Sequence, residues 1–167
     1  MARKQRLEPS FQQADAFIGI ATNLSAIQLV HFINRESWLN LVRETELPVY
    51  SEKSDSLNYF RFFYYQDEDL RSDFCLLCNQ SDGLFLLPTQ KQFGYFLLVN
   101  GAIPDGKVKQ LISSIKSIAG VQLAASIPQE PIKALGPLLE DLELHLTDLK
   151  QIRKESVKRI MPSSEEQ

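Results

Sequence analysis

Residues 57–66, LNYFRFFYYQ, put large apolar side chains on both sides of one extended segment. Successive side chains in a strand point to opposite faces, so Phe60, Phe62 and Tyr64 share one face and Tyr59, Arg61, Phe63 and Tyr65 the other. Such a strand belongs inside a sheet, where layers on both sides remove its surface from water. One face has to lie under helices. The other is either a second core closed by a further element or an open aromatic surface. Exposed aromatics two residues apart, with a basic residue nearby, are how RNA-binding sheets stack bases. RNA binding through this strand, helped by Arg3, Lys4 and Arg6 and by the basic end of the last helix, is therefore an alternative. A formal charge of −3 supplies no global attraction for phosphate backbones, and core packing is the preferred reading.

The flanking segments alternate between strand and helix patterns. AFIGIAT (16–22) reads as a buried strand, with Asn23 placed to cap a helix in which Ala26, Leu29, Val30 and Ile33 recur at helical spacing. Residues 38–42 suggest a short strand, and 44–56, ETELPVYSEKSDS, a polar loop containing Pro48. After the acidic turn DEDLRSD comes a strand in DFCLLCNQ, and QSDG (80–83) carries the Asp-Gly signal of a tight hairpin. YFLLV (95–99) is a further strand. Asp105 is positioned as an N-cap before Val108, Leu111, Ile112, Ile115 and Ile118, Gly120 ends that helix, and VQLAASI (121–127) follows. Strand, helix and strand at this length form a crossover that sets its two strands parallel in one sheet. The pattern predicts an α+β fold, a mostly antiparallel sheet with helices packed on it in a ferredoxin-like or ACT-like arrangement, plus a long C-terminal helix. The expected organisation is a polar basic segment 1–14, an α+β domain 15–128, a linker and amphipathic helix 129–161, and a tail 162–167.

The last helix has the clearest amphipathic pattern. Pro137 suits its first turn, and Leu139, Leu142, Leu146, Leu149, Val157 and Ile160 fall on one side, with Arg153 interrupting the stripe. Glu140, Asp141 and Glu143 near the start, and Lys150, Arg153, Lys154, Lys158 and Arg159 near the end, oppose the macrodipole. At 1.5 Å per residue such a helix is about 35 Å long, longer than a small domain needs, so its distal half is expected to project. The stripe has two possible destinations, the protein's own sheet or a second chain. The function this implies is a non-catalytic protein–protein interaction or assembly module, with a protein partner or a homodimer. ACT-like binding of a small effector follows from topology alone.

Catalytic and metal chemistry find little support. Cys75 and Cys78 resemble a redox or zinc CxxC, but they lie inside an apolar strand, where a spacing of three sends them to opposite faces, and no second pair exists. They read as small buried hydrophobes. His31 is placed at the boundary of an apolar helix face, and His145, among acidic residues on the last helix, is expected to be solvated. Asp67, Glu68, Asp69 and Asp73 lack the pattern of an EF-hand loop and read as a solvated turn. No nucleophile elbow, Walker loop, dinucleotide glycine turn or HExxH motif occurs. No metal or cofactor is expected. With neither a signal-peptide core nor an apolar run of membrane-spanning length, the expected location is the cytoplasm, without membrane insertion.

One stretch, LLPTQKQFGYFLLVNG (86–101), resembles the signature of the IPExxxVDY family of bacterial proteins. Pro88 and Tyr95 match, while Leu87 stands for the family's isoleucine and Phe93 for its valine. The resemblance extends over residues 15 to about 128, including HFINRES and the aromatic strand. It implies a fold and no assigned activity, substrate or cofactor. The family's glutamate and aspartate are Thr89 and Gly94 here, so carboxylate chemistry is not available at this motif. The expected role is a bend: Pro88 as a rigid exit from one strand, Gly94 as an unusual backbone angle, and Tyr95 as a hydroxyl anchor.

Overall fold

A computed structural model describes residues 13–160, with the side chain of Ile160 excluded. The basic residues Arg3, Lys4 and Arg6 and the tail 162–167 lie outside the described residues. Among the described residues, eight strands, three α-helices and one 3-10 turn follow in the order β1 (Ala16–Thr22), α1 (Ala26–Glu36), β2 (Val42–Ser51), β3 (Ser56–Asp67), β4 (Ser72–Cys78), β5 (Gln80–Ser81), β6 (Leu84–Phe85), the turn (Pro88–Gln90), β7 (Tyr95–Gly101), α2 (Asp105–Lys116), β8 (Val121–Ser126) and α3 (Leu135–Ile160).

Six strands form one antiparallel-paired sheet in the order β2-β3-β4-β7-β1-β8. Because β1 pairs antiparallel with both β7 and β8, those two strands are parallel and flank β1, as the crossover predicts. In the same way β1 and β4 flank β7. Strands β1, β4, β7 and β8 with α1 and α2 follow the β-α-β-β-α-β connectivity of the ferredoxin-like arrangement, and the β2–β3 hairpin widens it on one side. The two-stranded β5–β6 ribbon turns at Asp82 and Gly83, both at positive φ (48° and 79°), the backbone that a two-residue Asp-Gly hairpin needs.

The aromatic strand is interior, one place from the edge; its α3-side face is covered at Phe60, Phe62 and Tyr64 and its α1-side face at Phe63 and Tyr65, while Leu57, Tyr59 and Arg61 on that second face stay exposed. Phe60, Phe62 and Tyr64 join Phe17, Cys75, Leu77, Phe96 and Leu98 in a core closed by α3. Phe63 and Tyr65 belong to the opposite core, with Ile18, Leu76, Leu97, Leu29 and Leu111, shared with α1 and α2. Of the face that was either a second core or an open aromatic surface, Phe63 and Tyr65 are core, and Tyr59 and Arg61 are open.

Three local expectations are corrected. The cap of α1 is Ser25, which accepts from the Gln28 backbone while the Gln28 side chain accepts from the Ser25 backbone. This reciprocal capping box leaves Asn23 no part in the cap. At α2 the N-cap is Pro104, and Asp105 is the first helical residue, where its charge still favours the helix N-terminus. The loop expected over residues 44–56 is mostly strand β2. It runs through Pro48 because β2 is an edge strand, with no ladder partner on one side to miss an N–H. Leu47 and Val49 turn inward to the α3-side core, while Trp38 lies before the strand and its indole N–H donates to Asp67 at 3.0 Å.

Candidate functional site

Helix α3 has two environments along one face. Leu135, Leu138, Leu139, Leu142 and Leu146 are buried against the sheet and Leu149 packs at the margin. Of the stripe expected from the sequence, Leu139, Leu142 and Leu146 therefore dock on the protein's own core. Val157 does not; it is 56% exposed, and every described side chain from Gln151 to Arg159 is exposed. At 26 residues the helix is about 39 Å long.

The docking is keyed to an irregularity in β2. The β2–β3 register shifts between Glu44 and Leu47, a bulge that leaves backbone groups without ladder partners. His145 is buried, stands edge-on to the Phe62 ring with centroids 5.5 Å apart, and lies with Nε2 2.7 Å from the Thr45 carbonyl. A carbonyl can only accept, so Nε2 carries the proton. This corrects the expected solvated His145: it satisfies the bulge. On either side Arg153 pairs with Glu44 and Lys150 approaches Asp73 at 4.0 Å, while Asp73 also accepts from the Tyr64 hydroxyl. The interrupting arginine of the stripe is the ion-pair partner of the bulged strand.

The charge is unevenly divided. Residues 13–149 carry ten basic and seventeen acidic side chains, and residues 150–159 carry five basic and one acidic. An acidic body thus bears a basic helical extension.

The motif residues shape a bend in the α3-side core. Leu87 is fully buried and Phe93 nearly so. Pro88 opens the 3-10 turn. The Phe93 ring occupies space above Gly19, where an added Cβ would come within 2.7 Å of it, so a glycine on β1 makes room for the larger residue. Tyr95 donates its hydroxyl to the Leu24 carbonyl at 2.8 Å, tying β7 to the entrance of α1. Gly94 is not at positive φ, and a Cβ there would meet only the Thr22 carbonyl at 4.0 Å; the expected unusual backbone angle is absent. What holds the bend is Asn79, which the sequence reading passed over. Completely buried, its side-chain amide donates to the carbonyls of Gln90 and Phe93 and its side-chain oxygen accepts from the Leu87 N–H. Its backbone bonds Gly94 and Leu86. One side chain replaces the ladder that the turn lacks.

The remaining candidates are structural. Cys75 and Cys78 are free and buried, in opposite cores. Burial pushes the Cys78 thiol up to about 11, with Arg61 opposing it, and Cys75 is pushed up further by burial. Neither has the thiolate character of a redox cysteine. Asp67 is buried rather than solvated, accepting from Trp38 and from the Leu70 backbone. Among the described residues no three His, Cys, Asp or Glu side chains gather as a metal site, and no helix is long and apolar enough to cross a membrane. Comparison of the chain with known protein families, with curated proteins and with solved structures finds no match.

Proposed function

We propose that this chain is a non-catalytic assembly module that binds a second copy of itself through the distal half of α3. The observation carrying this reading is that the face burying Leu139, Leu142 and Leu146 continues past the sheet, where Val157 lies exposed among Arg153, Lys154 and Lys158. An apolar residue inside a basic collar suits a surface that is both apolar and acidic. The protein's own body, with seventeen acidic against ten basic residues, supplies the opposite charge, and the same attraction is already used within the chain by Arg153 and Glu44. Two copies exchanging their helical extensions would form a closed two-fold pair.

The test is the mass of the full chain in solution by sedimentation equilibrium across a range of salt. The expected result is a dimer that weakens with salt and becomes monomeric in Val157→Asp, a change on an exposed residue that leaves the docked half intact. A wild-type protein that stays monomeric at high concentration overturns self-assembly. If that monomer instead binds stoichiometrically to a purified acidic protein through Val157, the helix is the contact element and the partner is another chain.

The resemblance to the IPExxxVDY family is consistent with this reading, since Leu87, Pro88, Phe93 and Tyr95 all have architectural employment and none presents a reactive group.

A further inference from the structure

On the α1 side the sheet extends beyond the helices that cover it. The β3–β4 ladder stops at Phe62 and Leu77, yet β3 continues to Ser56 paired with β2. One step past that point Arg61 lies beside Cys78, which in turn pairs with Tyr95. Above this row is a cleft of about 640 Å³, with Leu57 and Tyr59 along one side and Ala26, the first residue of α1, on the other.

Arg61 is exposed in this cleft and makes no ion pair or hydrogen bond with a described residue, whereas neighbouring Arg43 has Glu46 at 3.9 Å. Its field reaches the floor: after burial, it is the strongest influence on the Cys78 thiol, and it also acts on Tyr95. Beside it Leu57 and Tyr59 stay 53% and 52% exposed, an aliphatic and an aromatic surface that no helix among the described residues covers.

We propose that this cleft binds a small carboxylate with a flat apolar body, the carboxylate held by Arg61 and the body resting on Tyr59 and Leu57. A guanidinium fork matches the two oxygens of a carboxylate, and an exposed tyrosine ring offers apolar area at low entropic cost. Glu46 and Asp82 also line the cleft. They disfavour a multiply charged anion such as phosphate, and they offer a place for an ammonium group. Simple aryl carboxylic acids and aromatic amino acids share this chemistry.

Titration calorimetry of the full chain with 3-phenylpropionate, L-phenylalanine and inorganic phosphate tests the proposal. At least one of the first two binds saturably, and phosphate does not. Whichever binds identifies the source of the carboxylate. Arg61→Met weakens that binding by about tenfold or more, and Arg61→Lys, which keeps the charge and loses the fork, falls between. Because Arg61 is exposed, the circular dichroism spectrum of both variants matches the wild type. No binding of either carboxylate up to about 10 mM, a range that covers even weak millimolar sites, overturns the proposal. So does equal binding of phosphate, or an affinity unchanged in Arg61→Met. Dimer formation through α3 is read separately, by mass, and stands or falls independently.

Discussion

The two halves of α3 form one uninterrupted helix with one apolar stripe, yet Leu142 is 1% exposed and Val157 is 56% exposed. Nothing in local propensity separates them. The difference is what lies opposite: sheet, a bulged edge strand and a buried histidine for the first half, solvent for the second. A stripe in a sequence therefore specifies a face and leaves its partner undefined. The proximal half is held by packing, which is where most helical stability in proteins originates. The distal half relies on continuity with it and on basic residues near a helix C-terminus.

Removing contacts along the helix should give a graded response that breaks this comparison if it is wrong. Leu142→Ala, in the docked half, is expected to cost about 2–5 kcal/mol of unfolding free energy in urea. A loss as small as that of a surface change would mean the docked half is not packed as described. His145→Ala strips the Thr45 carbonyl of its donor and the Phe62 ring of its neighbour, and should cost about 1–3 kcal/mol. Arg153→Ala, halfway to solvent, should cost less than about 1 kcal/mol, and a cycle with Glu44→Ala isolates the pair. Val157→Ala should change monomer stability by no more than about 0.5 kcal/mol. A large monomer effect there would show that the distal half docks in cis.

The core side of the comparison also titrates. Burial raises Cys78 from 9.0 to about 11 and Tyr95 from 10.0 to about 12. The folded protein keeps these protons at pH values where the unfolded chain has released them, so their contribution is full below about pH 9 and declines as pH rises toward 11 and 12. Urea midpoints measured between pH 8 and 11 should fall; a flat profile would mean the two groups are more solvated than their surroundings imply.

The sequence was legible where burial is periodic. Strand β1, the aromatic strand, and the crossover from β7 through α2 to β8 all carry uninterrupted apolar patterns, and the opposite-facing cysteines follow from strand geometry alone. It was less legible at edges and at tertiary hydrogen bonds. Strand β2 carries Pro48, Glu44 and Glu46, which look like a loop because an edge strand tolerates residues that an interior strand cannot. His145 sits among acidic neighbours in sequence, but its partner is a carbonyl 100 residues away, created by a bulge that no local pattern announces. Asn79 follows an apolar strand as a lone polar residue. That position is itself a signal, since a buried amide must find partners, but which carbonyls it bonds depends on the path of the turn. The docked part of the stripe on α3, Leu139, Leu142 and Leu146, was readable, and the place where the sheet ends beneath it was not.

Strands β4 and β7 have side chains in both cores, Cys75 and Leu98 on one face and Leu76 and Leu97 on the other. The two cores are therefore not separable layers. Lifting α3 uncovers strands whose reverse sides hold α1 and α2 in place, so loss of either face propagates to its opposite. Backbone amides of Leu76 and Leu97 should exchange with deuterium only when the whole molecule opens, while those of the helical extension exchange by local fraying. A protein built this way has one melting transition for its body and a separate, cheaper freedom for the arm it extends.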